Sequence, residues 1–527
     1  MCRCTVCGAD GTSGQGVRHP PIPPRGSLMC YSCLKVNHLE AQIADTKAFL
    51  DHLETHLELL KSNHTHDYFS RRFPPEITSH IFTFAISGES SLRDRYIRPL
   101  TLGAVSRRWR QIAWSTPSLW TYVPVDLNKF EESFQPAKEF LLQWLGRTGQ
   151  LPLFIRICYD EWESDISRHV TNFTNVVEII NEYSSRWEYL NVGMPFSLFP
   201  RLRSACDEAP MLKFLTIEPP LSNSEGGATG HKGEVFDICT VPPLPQDVTV
   251  EDFPFTSIRI DWSNVTTLRF EGISVVDCLC LFQQAPSLSE SSLYVINDDG
   301  ILELDDQIIL PCLTKLKIRP DDLDAANDFF DSITLPVLKS LEYYASDLRE
   351  CFALADLLTR SSCPLTYLSI NCPIEGTERD QGFVRILRAI PTLEDLHLDI
   401  TSLPSDFFHS LSAPPSGEIS DRPILLPKLT RLSYDGKLSF NWFSFIKCVE
   451  SRRSIRGNDG RPLLSSIDLR FTAIAKDSKS PPYYINELAT AHICRLVERG
   501  ANIEVSNGAS DMLQYSREYH EKIRFGE

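Results

Sequence analysis

One short phrase, a proline followed by leucines at three- and two-residue spacings, recurs through the last two thirds of the chain and constrains its fold more than any other feature. It runs Pro210 to Ile217, Pro311 to Ile318, Pro336 to Tyr343, Pro364 to Ile370, Pro391 to Leu398, Pro427 to Tyr434 and Pro462 to Leu469, with a copy lacking the proline at Val265 to Phe270. From Leu313 the equivalent leucine returns after 25, 27 and 28 residues, at Leu338, Leu365 and Leu393, then after 36 and 35 at Leu429 and Leu464. Self-similarity at such a period marks a supersecondary unit that is stacked, because one copy cannot bury its apolar face alone. The Leu-x-x-Leu-x-Leu alternation predicts a short strand with one face buried. The segments between, such as Leu348 to Thr359, Phe383 to Ala389, Trp442 to Glu450 and Ile485 to Glu498, read as helices. The competing reading is a compact α/β domain with chance leucine phrases, and seven copies led by proline speak against it.

The phrases resemble leucine-rich repeats of an irregular kind. The resemblance implies an α/β fold in which residues 131–527 form a curved solenoid with a parallel sheet on its inner face, a surface that in such arrays binds other molecules. Two less regular copies, Arg186 to Val192 and a strand near Val248 to Val250, fill the stretch before residue 311. Pro219 to Pro245, rich in Pro, Gly and Ser, reads as a mobile surface loop. Ile503 to Val505 reads as a last strand, and the charged tail from Ser510 as a cap, since a stacked array needs a polar end.

Upstream, Phe73 to Val123 has a different pattern. Pro74 and Pro75 suit the first turn of a helix, where a missing amide hydrogen costs nothing, and Glu76 suits its positive end. Ile77, Ile81, Phe82 and Ala85 then recur at helical spacing on one expected face. A second expected helix carries Leu102, Val105, Trp109 and Ile112 on one stripe and Arg107, Arg108 and Arg110 on the other, closed by Pro117. Some fifty residues bury little core of their own and leave apolar groups for a partner. The phrases Phe73-Pro-Pro-Glu-Ile77, Val105-Ser-Arg-Arg-Trp109 and Pro117-Ser-Leu-Trp120 resemble an F-box, with one departure: the connection from Ile86 to Leu100 is longer than in the compact motif. Elongated forms, followed by a Trp-Leu-x-Arg-x-Gly-x-x-Pro-Leu pattern that Trp144 to Leu153 matches, are similar to the expanded F-box families of mushroom-forming fungi.

That resemblance implies an F-box helical bundle over 63–130 that docks on the Skp-type adaptor of a cullin-RING ubiquitin ligase, with the repeats holding a protein target. The adaptor-binding residues it implies are Pro74, Pro75, Ile77, Ile81, Phe82, Leu102, Val105, Trp109, Leu119 and Trp120. The alternative is a leucine-rich scaffold unconnected with ubiquitination, kept open by the long segment after Ile86. A nucleic-acid regulator is disfavoured by a net charge of −17, because phosphate binding depends on clustered Lys and Arg. The same balance argues against an anionic membrane. The acidic pairs Asp298-Asp299, Asp305-Asp306 and Asp321-Asp322 read as solvated loop residues rather than a site for a basic target.

Sixteen cysteines without dense disulfide spacing, and no apolar segment of signal or membrane length, point to cytosol or nucleus. Two pairs stand out. Cys4-x-x-Cys7 and Cys30-x-x-Cys33 carry the thiolate spacing of a structural zinc knuckle over residues 1–33, the competing reading being a tail with free thiols. Next, over 34–62, Leu39, Ile43, Thr46, Leu50, Leu53, Leu57 and Leu60 alternate at spacings of four and three, the seam of a coiled-coil-like helix. Such a helix can form a homodimer, pack beside the F-box or extend the knuckle; packing within the chain is favoured because amphipathic helices usually bury their stripe that way. Catalysis is not expected. Gly11-x-x-Gly14-x-Gly16 lacks the Lys-Ser/Thr of a phosphate loop, and no H-E-x-x-H or G-x-S-x-G element occurs.

Overall fold

Each recurring phrase ends in a strand of one sheet. The computed structural model describes residues 30–63, 72–87, 92–159, 166–205, 211–218, 235–296, 307–345, 351–372, 379–404, 406–412, 424–455, 462–471, 484–508 and 510–525. They divide into two compact units, Met1–Ser115 and Thr116–Glu527.

The second unit is a mixed α/β structure. Its strands are β1 Tyr122–Asp126, β2 Leu153–Cys158, β3 Trp187–Gly193, β4 Phe214–Ile217, β5 Asp247–Glu251, β6 Thr267–Ser274, β7 Glu290–Ile296, β8 Ile308–Ile309, β9 Lys315–Pro320 and β10 Ile333–Thr334. β11 Ser340–Tyr344, β12 Tyr367–Cys372, β13 Asp395–Ile400, β14 Arg431–Gly436, β15 Ser466–Phe471, β16 Asn502–Asn507 and β17 Ser510–Asp511 follow. Fifteen of them form one sheet in chain order, while β8 and β10 pair with each other. All neighbours in the large sheet are parallel except the closing pair β16–β17.

Register shows why the leucines repeat. Leu341 pairs with Leu368, Leu368 with Leu396, Leu396 with Leu432, Leu432 with Ile467 and Ile467 with Ile503. Two residues on, Tyr343, Ile370, Leu398, Tyr434, Leu469 and Val505 form a second buried row. Side chains of a strand alternate between faces, so spacing by two sends both rows into the layer between sheet and helices. That layer is filled by Phe329, Phe330, Leu357, Ile386, Phe408, Phe445 and Ile493 from helices Leu323–Ser332, Cys351–Ser361, Arg379–Ala389, Phe407–Leu411, Trp442–Arg453 and Glu487–Glu498. At the far end helix Met512–Phe525 lies against Glu487–Glu498, with Tyr519 stacked on Tyr484 at 3.6 Å and Arg524 paired with Glu487.

Two readings of this unit change. Residues 235–245 are not a free loop: Phe236 bridges to Ile258, and both Phe236 and Ile238 are buried. Residues 219–234 of that segment lie outside the described residues. Residues 116–130, read with the upstream helices, group with the sheet because β1 is its first strand. There Trp144 donates its indole N–H to the carbonyls of Trp120 and Tyr122 at 2.9 and 3.0 Å and sets its ring edge-on to Trp120. Arg147 lies over the Trp120 ring, 4.9 Å from its centroid. The Trp144 to Leu153 pattern is thus the lock between the first strand and the helix and turn that lead into β2.

In the first unit α1 spans Tyr31–Asn63, α2 Pro75–Ser87, α3 Leu92–Val105 and α4 Arg107–Trp114. The single helix expected through Leu102 and Trp109 is broken at Ser106. Its backbone is extended there, and its hydroxyl accepts from the Trp109 amide at 3.1 Å, which starts a new helix. Most of the long connection after Ile86 is likewise helix, α3, carrying Pro99 inside it. Phe82 against Trp109 at 4.8 Å, with Thr78, Ile112 and Ala113, makes a small core. Arg110 of α4 donates to the carbonyl of the buried Gly103 of α3 at 2.8 Å and ties the two helices together.

Candidate functional site

Among the described residues three surfaces are open to a partner, on α2, on the open face of the sheet and along α1. The first lies on α2. At about 100° per residue, Ile77, Ile81 and Phe84 fall within a narrow stripe, and Thr78, Phe82 and Ile86 on the adjoining one. The core takes the second stripe and leaves the first in solvent: Phe82 is 2% exposed and Phe84 82%. A single face holding Ile77, Ile81, Phe82 and Ala85 is therefore not what forms. Leu100, Val105 and Trp114 on α3 and α4 are also exposed. Of the ten residues implied by the F-box resemblance, Pro74, Pro75, Ile77, Ile81 and Val105 are open, and Leu102 and Trp109 are half-buried. Phe82 is core. Leu119 and Trp120 are buried within the sheet unit. Phe84, Leu100 and Trp114 are the residues that sequence reasoning passed over; the i, i+4, i+7 spacing of Ile77, Ile81 and Phe84 was the signal for the first.

The second surface is the open face of the sheet, where the alternate residues of each strand emerge. Its first strands carry a row of rings: Phe154 stacks on Tyr189 at 5.9 Å, and Tyr189 meets Phe214 at 6.0 Å. From β7 onward the row becomes charged. Lys315 pairs with Glu290 at 2.6 Å, Lys317 with Glu342 at 3.4 Å and Arg431 with Asp395 at 2.9 Å, each across register partners. These exposed pairs contribute only about 0.2–1 kcal/mol apiece. Arg319 lies over Tyr294 at 5.1 Å and Lys317 near Tyr344 at 5.0 Å. Tyr and Arg are the side chains that most often anchor protein interfaces.

Acidic groups crowd the middle of this face. Glu251 has its carboxyl held above the usual range, first by burial and then by Glu271 and Glu218, with Arg269 offsetting part of it. A raised native pKa means the folded state holds the proton more tightly. Stability is then lost as pH rises from the ordinary glutamate value, about 4.3, through the raised one, and stays lower above it. Glu251→Gln should therefore raise the melting temperature at pH 7 and give no gain near pH 4 (~4, below the ordinary value). Equal gains at both pH values, or none at neutral pH, would contradict this charge crowding.

Of the four candidate zinc ligands, Cys4 and Cys7 lie outside the described residues. Cys30 and Cys33 are half-buried at the start of α1, where the Leu34 amide bonds the Cys30 carbonyl at 3.0 Å. Among the described residues no three His, Cys, Asp or Glu side chains are grouped to hold a metal ion. Nor is any described helix long and apolar enough to cross a membrane. The α1 seam is exposed along its length. Packing of the seam within the chain is not seen among the described residues. Comparison with protein-family models and with curated proteins finds no match.

Proposed function

We propose that this chain is the substrate-receptor subunit of a Skp-cullin-F-box ubiquitin ligase, binding the adaptor through α2–α4 and a protein target through the open face of its sheet. The observation that carries the reading is the solvent-exposed Ile77, Ile81 and Phe84 stripe on the very helix opened by Pro74-Pro75-Glu76. Three large apolar groups in a row on so small a unit fit a surface that is buried on binding. The receptor itself does no chemistry. It raises the concentration of a target beside a ubiquitin-loaded enzyme. The mixed Tyr, Arg, Lys and Glu surface of β7–β11 suits a protein target better than nucleic acid. The test is co-purification of the full chain with a fungal Skp-type adaptor. A stable complex is expected; a folded full chain that captures no adaptor overturns the reading and leaves a leucine-rich scaffold.

A structural zinc at Cys4, Cys7, Cys30 and Cys33 belongs to the same proposal. Four thiolates suit a closed tetrahedral site and leave no open position for catalysis. The expected result is one zinc per chain by elemental analysis, lost in Cys30→Ser/Cys33→Ser. Zinc content unchanged in that variant would remove the pair from the ligand set.

A further inference from the structure

The exposed seam of α1 has a register that selects its own occupant. Leu39, Ile43, Leu50, Leu53, Leu57 and Leu60 are each 45–56% exposed, an apolar stripe along a helix of 33 residues. With Ile43, Leu50 and Leu57 at position a and Leu39, Thr46, Leu53 and Leu60 at d, position e holds Glu40, Lys47, Glu54 and Lys61. The sign alternates at every heptad.

That alternation discriminates between the two ways of pairing identical helices. In a parallel pair, position g of one helix meets e of the other. The pairs are then Gln42 with Lys47, Phe49 with Glu54 and His56 with Lys61, so only Lys35 with Glu40 joins opposite charges, and Thr46 faces Thr46. In an antiparallel pair, e meets e. Setting Leu50 against Leu53 of the second copy stacks Ile43 on Leu60 and Thr46 on Leu57. The same setting brings Glu40 to Lys61 and Lys47 to Glu54, with every flanking charge opposed by its opposite. Positions g then hold Phe49 beside His56 and Gln42 beside Asn63, with no like charges. One register satisfies both the apolar layers and all four e positions.

We propose that α1 is a dimerisation helix that pairs antiparallel with α1 of a second copy of this chain, centred on Leu50 and Leu53. This is independent of the ligase reading. A receptor or a scaffold would equally be presented in two copies.

The test uses the full chain. Sedimentation across a concentration series should show reversible dimers, and Leu50→Asp, at an exposed position that folding does not need, should give monomers with unchanged circular dichroism. Lys47→Glu and Glu54→Lys, each of which turns two attractive pairs into two repulsive ones, should each weaken association roughly tenfold. Mixing those two variants should restore it, since every 47–54 pair is then opposite in charge. A chain of monomer mass at every concentration, a dimer that survives Leu50→Asp, or charge variants that behave like the parent would each overturn the proposal; the last is what a parallel pair predicts.

Discussion

Ile81→Asp/Phe84→Asp abolishes capture of the Skp-type adaptor by the full chain and leaves its helical content and melting unchanged. Phe84 stands in solvent and Ile81 is exposed rather than buried, so the unit loses little core contact, and exposed substitutions of this kind usually change stability by no more than about 0.5 kcal/mol. In a docked complex the same two groups would lie at the centre of the apolar patch. Truncating such anchors typically costs about 2 kcal/mol or more each, and a buried carboxylate adds its own desolvation penalty. Together the loss should exceed roughly a thousandfold in affinity. Titration calorimetry of the purified full chain with the adaptor, beside circular dichroism, reads both quantities. Phe82→Ala is the contrasting case. It removes a ring packed on Trp109 and should destabilise the helical unit by about 3 kcal/mol or more, with binding lost only as folding is lost. Undiminished binding by a folded Ile81→Asp/Phe84→Asp chain would remove this face as the docking surface.

The contrast between Phe82 and Phe84 shows where sequence reading stops. Periodicity says that apolar residues share a helix face, but two adjoining stripes on α2 are both apolar, and only the position of Trp109 decides which one is core. For the repeats the pattern was legible because a buried strand facing a helix layer demands the same residue types at each level. Where one copy departs, it disappears from view. Pro286-Ser-Leu288 leads into β7 like the other phrases, yet Ser291 stands in the register position of Leu268 and Leu316. The serine is buried, and its hydroxyl has no hydrogen-bond partner among the described residues. Strand β1 has no leading phrase and is read with the upstream bundle, and β2, also without one, is not singled out within residues 131–527. The break at Ser106 was legible in principle, since serine before Arg107 is a good N-cap, but Leu102, Val105, Trp109 and Ile112 keep helical spacing across it and mask the break. The antiparallel setting of α1 rests on charge signs that are in the sequence; that the seam is exposed is not.

Arg452→Met destabilises the C-terminal strands by about 3–5 kcal/mol, the cost of leaving buried carbonyls without their donor at about 1–3 kcal/mol each. Arg452 is the penultimate residue of helix Trp442–Arg453 and is buried, with no carboxylate partner among the described residues. Its guanidinium spends its donors on backbone: Nη1 donates to the Leu426 carbonyl at 2.7 Å, and Nε and Nη2 donate to the carbonyls of Leu411 and Leu425. Burial pushes its pKa down from the ordinary arginine value. The three oxygens lie at the last residue of helix Phe407–Leu411 and in the segment leading to β14, where the Leu426 carbonyl also accepts from the Leu429 amide at 3.2 Å. Leu426 adopts a positive φ of 50°, a backbone turn few leucines take, and the arginine holds the turn in place. Arg360, penultimate in helix Cys351–Ser361, does the same for Phe330 and Ile333 at 2.6 and 2.7 Å. Arginine suits the task because a rigid fork reaches several diverging acceptors at once, so Arg452→Lys should recover little. Proteins open locally as well as globally, and the loss is best read locally. Amide exchange across 424–436 and 462–471 should accelerate strongly in Arg452→Met while 187–217 keeps its protection. Unchanged exchange around Leu425 and Leu426 would show that the turn holds without its arginine.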